Sequence, residues 1–155
     1  DGKIYEAFNP DYWSYHLGIK GSKGRLDRSS IGIQLCSWGN LKKVGGKFLN
    51  IYGGEVPASE VYTLDTEWSG NYYYHSYSDK QIESLESLLC WIIKEYKIKV
   101  QDLSFGEDWT MYRDDLITSG APGIWTHINV RKDKDGVYPD KRLFDMLNRI
   151  KLKSK

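Results

Sequence analysis

Ser78-Asp79-Lys80-Gln81-Ile82-Glu83-Ser84-Leu85-Glu86-Ser87-Leu88-Leu89-Cys90-Trp91-Ile92-Ile93-Lys94-Glu95-Tyr96 is the stretch on which the fold turns. Ser78 and Gln81, three residues apart, form a capping box that satisfies amides at a helix start. Asp79 places a negative charge in the first turn, where the helix dipole favours it. Ile82, Leu85, Leu88, Leu89, Ile92, Ile93 and Tyr96 then recur at helical spacing and make one apolar face. This helix is structural.

Strand signals precede it. Residues 30–36 read as a central strand, with Ile31, Ile33 and Leu35 on one face and Gly32, Gln34 and Cys36 on the other. Asp1-Gly2 is a turn signal, and residues 3–8 alternate like a strand. A chain that opens on a hairpin turn reads as though its partner strand is missing. Residues 9–24 form a loop holding Tyr12, Trp13, Tyr15 and His16. Residues 37–71 are rich in Gly, Tyr and Asn, and read as a long excursion with short strands such as residues 47–52.

Beyond the long helix, residues 107–119 suggest a second, weaker helix ended by Gly120 and Pro122. Residues 124–130 read as a strand. A last helix starts near Asp140, with Leu143, Phe144, Leu147 and Ile150 inward and a basic tail after it. Strands mixed with helices give an α/β class, a mixed central sheet flanked by helices. A length of 155 residues suits one domain, residues 1–155, without internal repeats.

Composition narrows the function. Net charge is +1, from 22 Lys and Arg against 21 Asp and Glu, so no electrostatic case exists for nucleic acid or an anionic membrane. No apolar run is long enough to span a bilayer, and no signal peptide is visible. The 12 Tyr and 6 Trp suit a sugar- or peptide-binding surface as well as they suit a core. Cys36 and Cys90 both sit in apolar runs and read as buried free thiols, which favours folding in a reducing compartment.

The chemistry concentrates in residues 121–135. An apolar β-branched stretch ends in a lone imidazole, His127, and a charged turn follows with Lys134, Asp133 and Asp135. A ligand on a rigid element with the next on the following loop is how metal or acid/base sites are built. A buried histidine followed by a solvated charge run is the other reading. His16 is a candidate substrate contact or ligand, and His75 a surface or packing residue. Trp13, Trp38 and Trp125 are candidates for a groove floor or for core.

Three segments carry a resemblance, in chain order. Ser30-Ile31-Gly32-Ile33-Gln34, Tyr77-Ser78-Asp79-Lys80-Gln81-Ile82-Glu83-Ser84-Leu85, and Gly123-Ile124-Trp125-Thr126-His127 through Lys134 and Pro139 resemble the zinc-dependent N-acetylmuramoyl-L-alanine amidases. This is the amidase and peptidoglycan-recognition-protein superfamily. Asp1-Gly2-Lys3-Ile4-Tyr5 and Trp13-Ser14-Tyr15-His16-Leu17-Gly18 look like its phage endolysin branch. The resemblance covers nearly all of the chain.

It implies a hydrolase that cleaves the amide between N-acetylmuramic acid and L-alanine in peptidoglycan. Zinc is the implied cofactor, and the usual ligands are two His with one Asp, His or Cys. His127 matches the second His. Asp135 is the carboxylate of choice, with Asp133 competing, because the family places its ligand about where Gly136 stands. Lys134 matches an oxyanion-stabilising lysine. Gln34 stands where many relatives carry Glu; its amide can orient water or substrate but cannot act as a base. His16, Trp13 and Trp38 are the expected substrate contacts. The first zinc His belongs on a strand before Asp1, so a missing N-terminal segment or separate chain would complete the site. The implied setting is a phage or prophage lysin, made in the bacterial cytoplasm and acting on the cell wall. The alternative is a catalytically silent peptidoglycan-binding module of the same fold. A more distant alternative is an unrelated aromatic-rich carbohydrate-binding protein.

Overall fold

The computed structural model describes residues 1–9, 11–19, 24–100 and 108–153, with the side chains of residues 116–118 outside that description. Helices and strands are mixed, as the α/β reading expects, and the strands form two small antiparallel sheets. One is a meander of β1 (Lys42–Val44), β2 (Lys47–Leu49) and β3 (Glu55–Val56). The other is the hairpin of β4 (Val61–Trp68) and β5 (Asn71–His75).

Helix α1 runs Asp79–Glu95 with the expected capping box, Ser78 Oγ accepting from the Gln81 amide at 3.2 Å and Gln81 Oε1 from the Ser78 amide at 2.9 Å. Its buried face is Ile82, Leu85, Leu89 and Ile92. Burying each such side chain stabilises by about 1.5–3 kcal/mol, more than the roughly 1 kcal/mol of a cap. Packing therefore holds α1, and the cap sets where it begins. Helix α4 (Lys141–Lys153) brings Leu143, Met146, Leu147 and Ile150, all essentially inaccessible to solvent, against it. Tyr74, Tyr77 and Tyr138 join this core. Tyr77 and Tyr138 stack with ring centroids 4.8 Å apart and planes 7° apart, and Tyr138 stacks on Tyr74 at 4.7 Å. Between α1 and α4 lie α2 (Asp114–Ser119) and α3 (His127–Val130).

Five local expectations are corrected. Residues 30–36 lie in no ladder; among the described residues no strand runs beside them to supply hydrogen-bond partners. Pairing begins only at residues 39–41, where Leu41 N donates to Tyr73 O and His75 N to Gly39 O on the free edge of β5. Residues 3–8 form no strand either. Gly2, just before them, sits against the Lys80 carbonyl in the first turn of α1. Residues 124–130 are not a strand. Thr126 and Asn129 box the start of α3, and that local side-chain bonding overrides the β-branched bias of the stretch. Cys36 and Cys90 are free, as expected, but exposed. Cys90 follows the buried Leu89 by one residue, a 100° rotation that turns it off the apolar face. The second helix is shorter than the 107–119 reading: a 3-10 turn at Asp108–Thr110 precedes α2, and Glu107 lies outside the described residues.

Candidate functional site

The site is built where the loop of residues 14–18 meets the N-terminus of α3. Asp27 opens a short 3-10 turn, Asp27–Ser29, and only 2 % of it is exposed. Its Oδ1 accepts from the His16 amide at 3.0 Å and the Leu17 amide at 2.9 Å. Burial alone would raise its pKa, but the Leu17 and His16 amides and the nearby imidazole outweigh that and hold it below the usual carboxylate value. The His16 ring Nδ1 donates to the Ser14 carbonyl at 3.0 Å, and its Nε2 lies 3.0 Å from Ser30 Oγ. Ser30 Oγ in turn donates to the Leu26 carbonyl at 2.7 Å. Gly32 lies flush against this ring, where a β-carbon would come within 2.9 Å of His16 Cδ2. Beside it, Trp13 meets Tyr15 edge-on at 4.9 Å and carries the Arg28 guanidinium 4.6 Å over its ring.

His127 is the first residue of α3. Asn129, wholly buried, pins that helix: its Oδ1 accepts from Thr126 N and Oγ1, and its Nδ2 donates to the Asp108 and Met111 carbonyls. His127 Nε2 lies 2.9 Å from the Leu17 carbonyl. A carbonyl only accepts, so Nε2 carries a proton, and in the neutral ring Nδ1 keeps its lone pair.

The charged turn folds back on this helix. Arg131 Nε donates to Asp133 Oδ1 at 2.8 Å and Nη2 to Oδ2, which lowers the Asp133 pKa to about 2. Arg131 also lies over Gly18. Lys134 and Asp135 are exposed. Gly136 then packs on Ile128, the residue after His127. The turn that bears Lys134 and Asp135 is thereby returned to the helix that bears His127.

The structure thus joins the His16 loop to His127 through Leu17, and the 134–135 turn to α3 through Gly136. Gln34 and Trp38 make their contacts elsewhere. Gln34 is exposed and donates to the Leu35 carbonyl, while Trp38 meets Tyr52 edge-on at 6.2 Å and its amide donates to His75 Nδ1. His75 Nε2 reaches Glu60, and Trp125 Nε1 donates to the Ala121 carbonyl, so both pack locally. Sequence reasoning missed Asp27, Arg131 and Asn129. Asp27 stands between two basic neighbours, Arg25 and Arg28, in a polar stretch, and only its burial distinguishes it from a solvated charge.

A zinc ion would find a free nitrogen on His127, its other nitrogen fixed by a backbone carbonyl as metal-binding imidazoles require. Asp135 stands on the turn that returns to it. Among the described residues, however, no three His, Cys, Asp or Glu side chains gather into a metal-binding group. The described residues alone do not close a tetrahedral site. No helix among them is long and apolar enough to cross a membrane.

A family profile described as N-acetylmuramoyl-L-alanine amidase matches residues 1–136. No curated protein and no solved structure matches the chain.

Proposed function

The chain belongs to the N-acetylmuramoyl-L-alanine amidase family, and we propose that it hydrolyses the amide joining N-acetylmuramic acid to the L-alanine of the peptidoglycan stem peptide. The supporting observation is the hydrogen bond from His127 Nε2 to Leu17 O, which leaves Nδ1 available on the helix to which the turn carrying Lys134 and Asp135 returns through Gly136. Zinc is part of this proposal, with His127 and Asp135 as two ligands and a third still required. When bound, the metal supplies a Lewis acid and an acidified water. Lys134 is exposed and uncommitted to a buried ion pair, which suits a side chain that reaches a developing oxyanion. Trp13 and Trp38 present half-exposed rings, at 42 % and 49 %, that suit stacking against sugar. Gln34 orients water or substrate in this reading, His16 holds the loop that meets the stem peptide, and the setting is a phage or prophage lysin acting on the cell wall.

Gln34 favours a second reading, because an amide accepts no proton and cannot serve as a general base. In that reading the chain is a peptidoglycan-binding module without turnover. Incubation with purified peptidoglycan, with and without added zinc, separates the two. Amidase action releases new L-alanine amino termini. Co-sedimentation with insoluble wall without such release identifies the binding module. Neither binding nor release overturns both.

A further inference from the structure

We infer that Asp27 is a positioning residue for His127, acting through the backbone of Leu17, whose amide it binds and whose carbonyl meets His127. One carboxylate oxygen receives both the His16 and Leu17 amides, at 3.0 and 2.9 Å. The same Leu17 residue turns its carbonyl to His127 Nε2 at 2.9 Å. Residues 17 and 127 are 110 apart in the chain, so this bond is a tertiary clamp and not a local turn. Its geometry depends on where Leu17 is held, and Asp27 is what holds it. The loop has little room to shift. His16 is backed by Gly32 on one side, and Arg131 lies against Gly18 on the other.

The consequence is chemical. An imidazole in water exchanges its proton between two nitrogens, and a fixed carbonyl at one of them selects a single tautomer. Leu17 O selects the form with the proton on Nε2 and the lone pair on Nδ1. Asp27 therefore sets which nitrogen of His127 faces a ligand, although its own hydrogen bonds are to the backbone. This inference rests on the amidase reading only for its link to catalysis; the tautomer itself does not depend on it.

Nitrogen-15 NMR of the His127 ring in the 155-residue chain tests it. The wild type is expected to show the proton on Nε2, with a through-bond coupling to the Leu17 carbonyl carbon. Asp27→Asn keeps an oxygen that accepts both amides and is expected to keep this signature. Asp27→Ala is expected to give a tautomer mixture and at least tenfold faster amide exchange at Leu17. On peptidoglycan, Asp27→Ala should lower kcat with KM little changed, and Asp27→Asn should restore it. A wild-type proton on Nδ1 overturns the inference, as does a folded Asp27→Ala protein with the Nε2 proton and Leu17 protection intact. Should the alanine variant not fold, amide exchange in Asp27→Asn decides: the neutral, weaker acceptor is expected to speed exchange at both His16 and Leu17, and protection unchanged at both overturns the inference. Absence of hydrolysis by the wild type sinks the amidase reading and leaves the NMR result standing.

Discussion

A β-carbon built on Gly136 comes within 3.1 Å of the Ile128 backbone nitrogen. Gly136 also has φ +60°, where residues with side chains are strained. The turn returns to the His127 helix only because nothing projects there. Gly136→Ala is expected to cost about 1–2 kcal/mol from the backbone conformation alone, read as a lower melting temperature. Gly136→Asp, which puts a carboxylate where the family places its ligand, is expected to be no better. Tighter zinc binding by Gly136→Asp without loss of stability would show that the turn can move.

The three charged residues of that turn should fail differently. Lys134→Met is expected to cut turnover roughly a hundredfold or more while substrate binding changes little. Asp135→Ala should weaken zinc binding. Asp133→Ala should do neither, because Arg131 already holds that carboxylate. Zinc lost from the Asp133 variant and kept by the Asp135 variant would reverse the ligand assignment. Both measurements need zinc in excess, since two protein ligands alone hold it weakly.

Asp140 is fully buried and serves α4 twice. Its Oδ1 accepts from the Arg142 amide at 2.9 Å as an N-cap, and its Oδ2 pairs with Arg142 Nη2 at 2.7 Å. Arg142 spans from there to Asp79 and the Tyr77 carbonyl, joining the starts of α1 and α4. Asp140→Ala loses the cap and leaves the guanidinium short of a partner, so about 3 kcal/mol of stability should go. Asp140→Asn keeps the cap and should lose less. Equal denaturation midpoints for the two variants would refute this division.

Glu86 sets an acid limit on the same helix pair. Arg149, with Lys153, holds its pKa below the usual value. A carboxylate depressed in the folded state contributes stability that is fully present above its unfolded pKa, near 4.5, and that is lost as pH falls through the folded value. Glu86→Gln should therefore cost about 0.5–1 kcal/mol at pH 7 and flatten the decline below pH 4. A denaturation series from pH 7 to pH 3 that runs parallel for both proteins would count against it.

Tyr138 lies at the centre of the aromatic stack, with its hydroxyl accepting from the Tyr77 amide at 3.2 Å. Tyr138→Phe keeps the stacking and leaves that buried amide unpaired, a loss of about 1–3 kcal/mol. An unchanged melting temperature would mean the hydroxyl is dispensable.

The two long helices, α1 and α4, were legible because their evidence is local. Ser78 and Gln81 cap α1 within three residues, and the apolar period from Ile82 to Ile92 repeats within one stretch, so neighbouring side chains alone specify the element. The strand readings at residues 30–36 and 124–130 failed because an apolar β-branched run says only that a strand would fit. Whether it forms depends on a ladder partner from elsewhere, or on a competing cap such as Thr126 and Asn129. The chemistry divides the same way. His127, Lys134 and Asp135 stand out in the sequence as a lone imidazole followed by charge. Asp27 does not, because an acidic residue between basic ones looks solvated until the fold buries it. Only the tertiary structure brings Leu17 to His127 across 110 residues and turns Gly136 back onto Ile128. The sequence by itself determined the two long helices, α1 and α4, the residue types that can do chemistry and the family. The tertiary structure decided which nitrogen, which carbonyl and which carboxylate meet, since those contacts exist only once distant segments share one packed space.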